Sequence, residues 1–282
     1  MKIEFIANET GDLVKQTLKQ NPQLNFNQVQ MAFRKKDVKL NGKRLAKSSI
    51  INAGDKVEIF LPQVKPAVID IVYQDENILA VNKPAGMEVT EKDKVFSNSK
   101  CLEELTNQRA VHRIDKNTQG LVVLAKNQMA YDELLDAFKN GYVKKYYQTI
   151  VCGKPKQKQA FLTAYLKKDV KNSIVKILDK KEPNSVEIKT NYHLIKTNGE
   201  LSLLFVELLT GKTHQIRAHL AHENLAVLGD EKYGNKQINK KYSQKKQCLC
   251  ACEIAFSFPS KSKLSYLNNI ELKIEPNFQI KI

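Results

Sequence analysis

The sequence contains no run of eighteen or more apolar residues, which is about the length that a membrane-spanning helix needs. It also contains no single helical pattern that is basic on one face and aromatic on the other, so it does not favour binding to a membrane surface. The first residues, MKIEFIANETGD, mix charged and apolar side chains and lack the apolar middle of a secretory signal. We therefore expect a cytoplasmic protein that does not bind membranes.

Cysteine is scarce, with five residues in 282, an odd number without the spacing of a disulfide framework. Three of the five form the stretch QCLCAC, as Cys248, Cys250 and Cys252. On a strand this spacing places the three side chains on one face, whereas zinc sites take C-x(2-4)-C spacing from a turn. The pattern favours buried thiols over a zinc site.

The motifs of several enzyme classes are absent. There is neither G-x-G-x-x-G nor G-x(4)-G-K-[ST], which leaves hydride and phosphoryl transfer unsupported. No serine lies in a G-x-S-x-G elbow and no H-E-x-x-H is present, so serine hydrolysis and metalloprotease chemistry gain little support. His214, His219 and His222 are close enough in sequence to suggest a metal, but no acidic residue stands among them. We expect no metal there.

Positive charge is what the sequence has in excess. Lys and Arg number 46 against 30 Asp and Glu, which gives a net charge of +16 and a pI near 9.5. A chain this cationic attracts polyanions, and nucleic acid is the partner that we expect. Hydrophobic residues make up 42%, enough for a folded protein, and 282 residues suit one large core with a small second domain.

A first domain is predicted over residues 1–62, because the stretch QVKPA that follows is a polar linker between two prolines. The domain contains two short helical patterns and then β-like runs separated by Asn-Gly and Gly-Asp turns. The end of the second helix and the next turn form a predicted basic face, which consists of Arg34, Lys35, Lys36, Lys39, Lys43, Arg44 and Lys47. A solvated surface without a partner is the simpler explanation of such a lysine run. Residues 12–60 nevertheless resemble the small RNA-binding module first described in a ribosomal small-subunit protein, which implies recognition of RNA through shape and phosphate contacts.

Residues 68–282 predict a second domain of the α+β class. Apolar β-branched runs alternate with turn residues over most of its length, and strand patterns outnumber helical ones. This favours a mixed, largely antiparallel sheet with flanking helices over a doubly wound fold. The lysine-rich segment 235–246 has little apolar content, and we expect a loop that is mobile until RNA is bound.

Rare residue types gather in two short segments. Only five of the 46 basic residues are arginine. Arg113 precedes Asp115 by two positions in VHRIDKNTQG, and Arg217 lies in TGKTHQIRAHLAH with three of the five histidines. In a chain whose basic residues are mostly lysine, an arginine suggests a role that needs the planar guanidinium group with its several hydrogen-bond donors. A solvated turn in which Asp115 pairs with Arg113 is the alternative for the first segment.

The segment VHRIDKNTQGLVVLAKN (111–127) closely resembles the H-R-L-D signature of the RNA pseudouridine synthases, within the large family that modifies ribosomal and transfer RNA. KPAG (83–86), KYYQTIVCG (145–153) and TGKTHQIRAHLAHENLAVLGDEKYG (210–234) resemble three further segments of that family, in the same order. With the front module, the resemblance spans nearly the whole chain. The chain differs from the residues usual in that family at Ile114, Gln119, Thr149, Lys212 and Cys250. None of these positions is expected to take part in the chemistry.

The resemblance implies an isomerase that detaches uracil from its ribose, turns it and reattaches it through carbon, without a cofactor. Asp115 would be the nucleophile, Arg217 the cation that keeps it ionised, and Tyr147 the ring against the target base. Arg113 would enter the gap left by the flipped uridine. Ile216 and His112 would also contact the base or the RNA. Lys83 would contact a phosphate.

We therefore expect a monomeric, two-domain RNA pseudouridine synthase, with large-subunit ribosomal RNA favoured over transfer RNA as its substrate. An RNA-binding assembly factor that kept the fold without turnover is the main alternative. A basic DNA-binding protein would explain the charge but not the four segments. The presence of Asp115, Tyr147 and Arg217 favours the enzyme.

Overall fold

The computed structural model describes residues 2–22, 24, 26–45, 47–61, 68–90 and 101–278. These residues form two compact units, a first unit within residues 2–68 and a second unit that begins at Ile69. The linker expected at 63–67 lies outside the described residues, so the predicted domain boundary stays a prediction.

The first unit combines two short helices with a small antiparallel sheet. Its elements are β1 (Lys2–Ile6), β2 (Gly11–Asp12), α1 (Leu13–Gln20), α2 (Phe26–Arg34), β3 (Val38–Leu40), β4 (Lys43–Leu45), β5 (Ile50–Ile51) and β6 (Lys56–Phe60). The sheet has the order β1-β6-β3-β4, and β2 pairs separately with β5. Asp12 starts α1 because its carboxylate accepts the backbone N–H of Lys15 at 3.1 Å. Asn41 and Gly42 both have positive φ, as the predicted tight turn between β3 and β4 requires.

The second unit is built on one eleven-stranded sheet. Its strands are β7 (Asp70–Gln74), β8 (Ile78–Lys83), β9 (Arg109–Ala110), β10 (Gln119–Ala125), β11 (Val143–Cys152), β12 (Gln159–Asp169), β13 (Ile174–Leu178), β14 (Ser185–Thr197), β15 (Leu201–Leu208), β16 (Leu249–Phe256) and β17 (Leu272–Lys273). The main path runs β13-β12-β14-β15-β11-β16-β10-β8-β7, with β17 beside β16 and β9 beside β10. Within the described part of this sheet, β10 and β16 are the only parallel neighbours. The predicted α+β class with a mixed, largely antiparallel sheet is confirmed.

Helices flank this sheet. They are α3 (Leu102–Thr106), α4 (Gln128–Asn140), α5 (Gln215–His222) and α6 (Lys236–Lys241), followed by a 3-10 helix at Ser265–Asn269. None of the helices in the described ranges is long and apolar enough to cross a membrane.

The central strands are buried on both faces of the sheet, and the two faces pack against different hydrophobic cores. On β8, Leu79 and Val81 belong to one core, and Ile78 and Ala80 belong to the other, which α4 covers through Leu134. Because both faces are covered, these strands read in the sequence as continuous apolar runs rather than as alternating ones. The first of the two cores also contains the side chains that form the site described below.

The segment 235–246 differs from its prediction. It contains α6, which begins after Asn235, whose side chain accepts the backbone N–H groups of Gln237 and Ile238. Lys241 and Tyr242 both bond to the Glu200 carboxylate, at 2.6 and 2.7 Å. The expectation of a loop was wrong for residues 236–241, because a lysine-rich composition is also compatible with a short capped helix on the surface.

The three thiols of QCLCAC are buried, as predicted. Cys250 and Cys252 lie in β16, and Cys248 directly precedes it. Burial is the main cause that raises the pKa of each of these thiols to about 12. They are neutral at physiological pH and behave as apolar side chains of the core.

Candidate active site

One cavity of the second unit contains most of the residues singled out in its sequence. Its volume is about 640 Å³. The walls come from the loop after β9, from the end of α4, from β11 and from the segment between β15 and α5. The predicted residues that line it are His112, Arg113, Asp115, Tyr147, Ile216 and Arg217. Residues predicted from separate motifs therefore share one concave site.

Asp115 lies in a loop between β9 and β10 that is held by several hydrogen bonds. The Thr118 backbone N–H donates to the Asp115 carbonyl at 3.1 Å, and the Gly86 N–H donates to the Lys116 carbonyl at 2.7 Å. The buried Thr118 hydroxyl accepts from the Gln247 amide at 2.8 Å. These bonds fix the backbone of the loop and so restrict where the Asp115 carboxylate can lie.

Arg217 lies between two carboxylates. Its Nη1 donates to Asp115 Oδ2 at 2.7 Å. Its Nε and Nη2 donate to Oδ2 and Oδ1 of Asp230 at 2.6 and 3.0 Å, which is a bidentate pair. The Arg217 side chain is 7% exposed and the Asp230 side chain is completely buried. Asp230 therefore orients the guanidinium, whose remaining edge faces Asp115.

Both members of the buried pair are charged at neutral pH. Burial by itself lowers the pKa of Arg217, but its bonds and charge contacts with Asp230 and Asp115 raise the pKa above the ordinary value. Burial likewise acts to raise the pKa of Asp230, and Arg217 together with the N–H groups of Tyr233 and Lys232 outweighs it, so that pKa is lowered. Asp115 therefore faces a permanent cation.

Tyr147 forms an inner wall of the cavity. It lies in β11, is 6% exposed and belongs to the same core as Ile216. Burial and, to a smaller extent, the negative charge of Asp115 raise its pKa, so the phenol is protonated at neutral pH. The ring offers an apolar surface together with a hydroxyl that can donate a hydrogen bond.

Lys83 does not lie where a phosphate could reach it. The side chain is completely buried, and its Nζ donates to the carbonyls of Pro84, Met87 and Lys116 at 3.0, 2.8 and 3.1 Å. An ammonium has three protons, and all three have acceptors here. The expected phosphate contact of Lys83 was therefore wrong. Burial lowers the pKa of this lysine to about 8, and its role is to tie the KPAG turn to the Asp115 loop.

His112 lines the cavity as a neutral ring. Its Nε2 accepts the Val123 backbone N–H at 2.9 Å, and the ring stacks on Phe138 with centroids 4.5 Å apart. A nitrogen that accepts a hydrogen bond carries no proton, so the neutral ring holds its proton on Nδ1. Burial and, less strongly, Lys145 lower the pKa of His112 to about 3. An RNA contact here would be made by an uncharged imidazole.

The remaining predicted residues differ in exposure. Arg113 lines the cavity and is exposed, whereas Ile216 lines it and is 4% exposed. The basic residues of the first unit belong to a different compact body from the cavity. All of them except the half-buried Lys39 are exposed, namely Arg34, Lys35, Lys36, Lys43, Arg44 and Lys47.

Gln215 fixes the segment that leads into α5. Its Oε1 accepts from the Thr210 hydroxyl at 2.9 Å and from the Lys212 N–H at 3.1 Å. Its Nε2 donates to the Lys189 carbonyl at 3.0 Å and to the Thr190 hydroxyl at 3.1 Å. All four hydrogen-bonding positions of this buried amide are used, so the wall of the cavity before α5 is held firmly against β14.

The three histidines around α5 have separate partners. The contacts are His214 Nδ1 with Tyr233 Oη at 3.0 Å, His219 Nδ1 with Thr190 Oγ1 at 3.0 Å, and His222 Nε2 with Asp179 Oδ1 at 2.8 Å. Among the residues that the structure describes, no group of three or more His, Cys, Asp or Glu side chains could hold a metal ion.

Asp230, Tyr233 and Lys145 are among the residues of the site that received no role from the sequence. Asp230 and Tyr233 lie in the segment GDEKYG, and the Tyr233 ring centroid is 5.3 Å from the Arg217 guanidinium. Lys145 lines the cavity. An arginine that is expected to be buried needs a carboxylate partner nearby. For Arg217, this requirement could have pointed to Asp230, which follows the apolar run LAVLG.

Comparison with known proteins gives a consistent result. The family model for RNA pseudouridylate synthase matches residues 77–222, which include Asp115, Tyr147 and Arg217. The chain is 33% identical, over 77% of its length, to the ribosomal large subunit pseudouridine synthase C of Rickettsia bellii and covers 80% of that protein. It is 34% identical, over 75% of its length, to an uncharacterized RNA pseudouridine synthase of Mycoplasma genitalium and covers 72% of it.

Two solved structures share the fold. Human RNA pseudouridylate synthase domain containing 1 matches with a TM-score of 0.63 at 18% identity, covering 76% of this chain and 86% of that one. Human RNA pseudouridylate synthase domain containing 4 matches with a TM-score of 0.60 at 19% identity, covering 73% of this chain and 88% of that one. The likeness concerns the mixed sheet with its flanking helices.

Proposed function

This chain belongs to the RNA pseudouridylate synthase family and converts uridine to pseudouridine in RNA, and we propose that its substrate is large-subunit ribosomal RNA. The relative from Rickettsia bellii, named for that substrate, supports the choice, because this chain covers 80% of it at 33% identity. The observation that carries the chemistry is the bond between Arg217 and the Asp115 carboxylate within the cavity.

The reaction rearranges bonds within one nucleotide. The bond between uracil N1 and ribose C1′ breaks, a bond between C5 and C1′ forms, C5 loses a proton and N1 gains one. No electron enters or leaves, so the chemistry needs a nucleophile and a fixed geometry rather than a redox partner. We assign the nucleophile to Asp115, whose carboxylate is compatible with attack on either the ring or C1′.

Arg217 serves the nucleophile by placing a cation beside it. A carboxylate in a partly closed cavity gains stability as an anion from a cation at hydrogen-bond distance. The Arg217 guanidinium is 2.7 Å from Asp115 and is itself oriented by Asp230. The guanidinium therefore holds the Asp115 carboxylate in place within the cavity.

The target uridine must leave its base stack to reach Asp115. Flipping a base costs a few kcal/mol, which contacts to the extruded base and to the gap must offset. Tyr147 and Ile216 offer the base two apolar walls. Arg113, exposed and two positions before Asp115, is suited to fill the gap in the stack.

The first unit would add affinity through phosphate contacts. Within the described residues, none of its seven clustered cations has a carboxylate oxygen within 4.0 Å. Lys39 and Arg44 lie directly opposite each other on β3 and β4. Like charges in this arrangement repel each other, and Glu58, opposite Lys39 on β6, offsets part of that repulsion. Phosphates of an RNA backbone would add negative charge beside the exposed cations of this face.

The test is to delete the encoding gene and map pseudouridines in total RNA by reverse-transcription stops after carbodiimide treatment. We expect specific stops in large-subunit rRNA to vanish and to return with the wild-type gene. Asp115→Asn should restore none of them, although its RNA affinity stays close to that of the wild type. Asp136→Asn, which changes an exposed aspartate on α4, is the matched control and should restore all stops.

Three outcomes contradict parts of this proposal. Loss of stops in transfer RNA instead of rRNA overturns the substrate. Full complementation by Asp115→Asn overturns the nucleophile. If no stop changes in any RNA although the protein binds rRNA, a binding factor without turnover becomes the better account.

A further inference from the structure

Lys145 lies in the active-site cavity, and no carboxylate in the described part of the chain pairs with it. It extends from β11 two positions before Tyr147, is half-buried and lines the cavity. No carboxylate oxygen in the described ranges lies within 4.0 Å of its Nζ. Its Nζ lies 5.7 Å from the centroid of the Phe138 ring. The reaction described above assigns it no role.

The position is costly for the free protein. An ammonium loses hydration when it is buried, and an ion pair or hydrogen bonds normally offset that loss. Burial lowers the pKa of Lys145, and among the residues that the structure describes no carboxylate acts to raise it. Neither Asp115 nor Asp230 serves as partner, because both bond to Arg217. A charge kept in this place without a partner indicates an anion that arrives with the substrate.

The surrounding residues leave room for such an anion. A Cβ built at Gly211 would lie 3.3 Å from Lys145 Nζ, closer than most side chains tolerate. The absence of a side chain at Gly211 therefore leaves space next to the ammonium. His112 and Phe138 flank it as a neutral imidazole and an aromatic ring. Arg113, Lys139 and Lys212 also line the cavity, so an anion bound here would lie among several cations.

Among the groups of a flipped uridine, only the adjoining phosphates carry a negative charge. Uracil and ribose are neutral and would leave the charge of the ammonium uncompensated. We propose that Lys145 binds a phosphate next to the target uridine and so holds the extruded nucleotide over Asp115. This rests on the isomerase acting on RNA, but not on which RNA is the substrate.

The first experiment measures salt dependence in the Asp115→Asn background, where RNA can bind without turnover. Each phosphate contact on a single strand contributes about 0.7 to the slope of log affinity against log salt. We expect Lys145→Met to weaken binding about tenfold, as loss of a charged hydrogen bond does, and to lower that slope by about 0.7. Lys145→Arg should keep the slope. Lys144→Met changes the exposed neighbour in the chain and should alter neither quantity.

The second experiment identifies the ligand atom. RNA with a neutral methylphosphonate on either side of the target uridine should bind the Asp115→Asn protein more weakly at one of the two positions. At that position Lys145→Met should cause no further loss, because the two changes remove the same contact. Independent losses at both positions, or an unchanged salt slope in Lys145→Met, overturn the proposal.

Measurements of turnover with Asp115 intact distinguish the role of Lys145 from the proposed isomerase function. Release of tritium from RNA labelled at uracil C5 reports the isomerisation directly, and we expect Lys145→Met to raise KM more than it lowers kcat. Absence of release by the wild type on every RNA would contradict the proposed function, whereas the binding slope would still decide the role of Lys145. If Lys145→Met fails to fold, the methylphosphonate series on the Asp115→Asn protein gives the answer, and indifference to both neutral linkages rejects the phosphate contact.

Discussion

Arg217 serves two carboxylates that differ in exposure, since Asp230 is completely buried and Asp115 is 23% exposed. A buried ion pair is tolerated only when its geometry and further hydrogen bonds offset the loss of hydration. Asp230 meets this condition with two bonds from Arg217 and with the N–H groups of Lys232 and Tyr233. Asp230 is therefore a positioning residue, which holds the guanidinium that in turn holds the nucleophile.

We expect Asp230→Asn to lower the free energy of unfolding by about 3 kcal/mol, because the buried guanidinium loses its charged partner. Turnover should fall at least about tenfold, since Arg217 is then free to change its orientation toward Asp115. Urea unfolding and tritium release measure the two effects. Asp179→Asn removes an exposed partner of His222 and should change the unfolding free energy by less than about 0.5 kcal/mol. Similar losses in both variants would contradict the positioning role.

Single residues were predictable where a short motif fixes both their type and their spacing. Asp115, Tyr147 and Arg217 lie in such motifs, and all three line the cavity. Lys83 also lies in a motif, but its surroundings were mispredicted, because one of its acceptors belongs to Lys116 in a different segment. A lysine before a proline reads as a surface residue until the carbonyls that bury it are known.

At the scale of elements, the pairing of β10 with β16 fixes where the loop that carries Asp115 joins the sheet. Gly120, the second residue of β10, pairs with Ala251 and has a φ of +124°. A Cβ at this position would lie 2.3 Å from the Ala251 carbonyl oxygen. The two parallel strands can approach this closely because the position is glycine.

We expect Gly120→Ala to lower the free energy of unfolding by about 3 kcal/mol or more, because it combines backbone strain with a clash against a strand. Gly199→Ala is the matched control, since Gly199 also has a positive φ, +91°, but no atom within 4 Å of the added Cβ. It should cost only about 1–2 kcal/mol. Denaturant unfolding of both variants makes the comparison. Equal costs would show that strain alone, and not the approach of β16, restricts Gly120.

Elements formed by local patterns were predictable, and long-range pairings were not. The hairpin of β7 and β8 and the helix that ends before Gly141 follow from turn residues and periodicity. The pairing of β10 with β16 joins segments far apart in sequence, and nothing local in either strand specifies its partner. The helix α6 was missed because its start depends on one cap, Asn235, within a lysine-rich composition.

At the scale of the whole molecule, a net charge of +16 predicts attraction to RNA but does not say where the RNA is held. Exposed lysines are also numerous in the second unit, so the affinity for RNA could come from the total charge or from the local arrangement of the cations. The two explanations predict different effects of salt on binding. Local contacts release a fixed number of counterions from particular phosphates, whereas total charge acts regardless of which lysines carry it.

We therefore expect location to matter when total charge is held equal. A variant that carries Lys35→Gln, Lys36→Gln, Lys43→Gln and Arg44→Gln should bind RNA with a salt slope lower by about 3, since four phosphate contacts are lost. The control carries Lys180→Gln, Lys181→Gln, Lys261→Gln and Lys263→Gln, which replace exposed lysines of the second unit. Both variants fall from +16 to +12. Binding measured across a salt series in the Asp115→Asn background distinguishes them. An equal fall in slope would mean that affinity follows overall charge, and the basic face of the first unit would then be ordinary solvated surface.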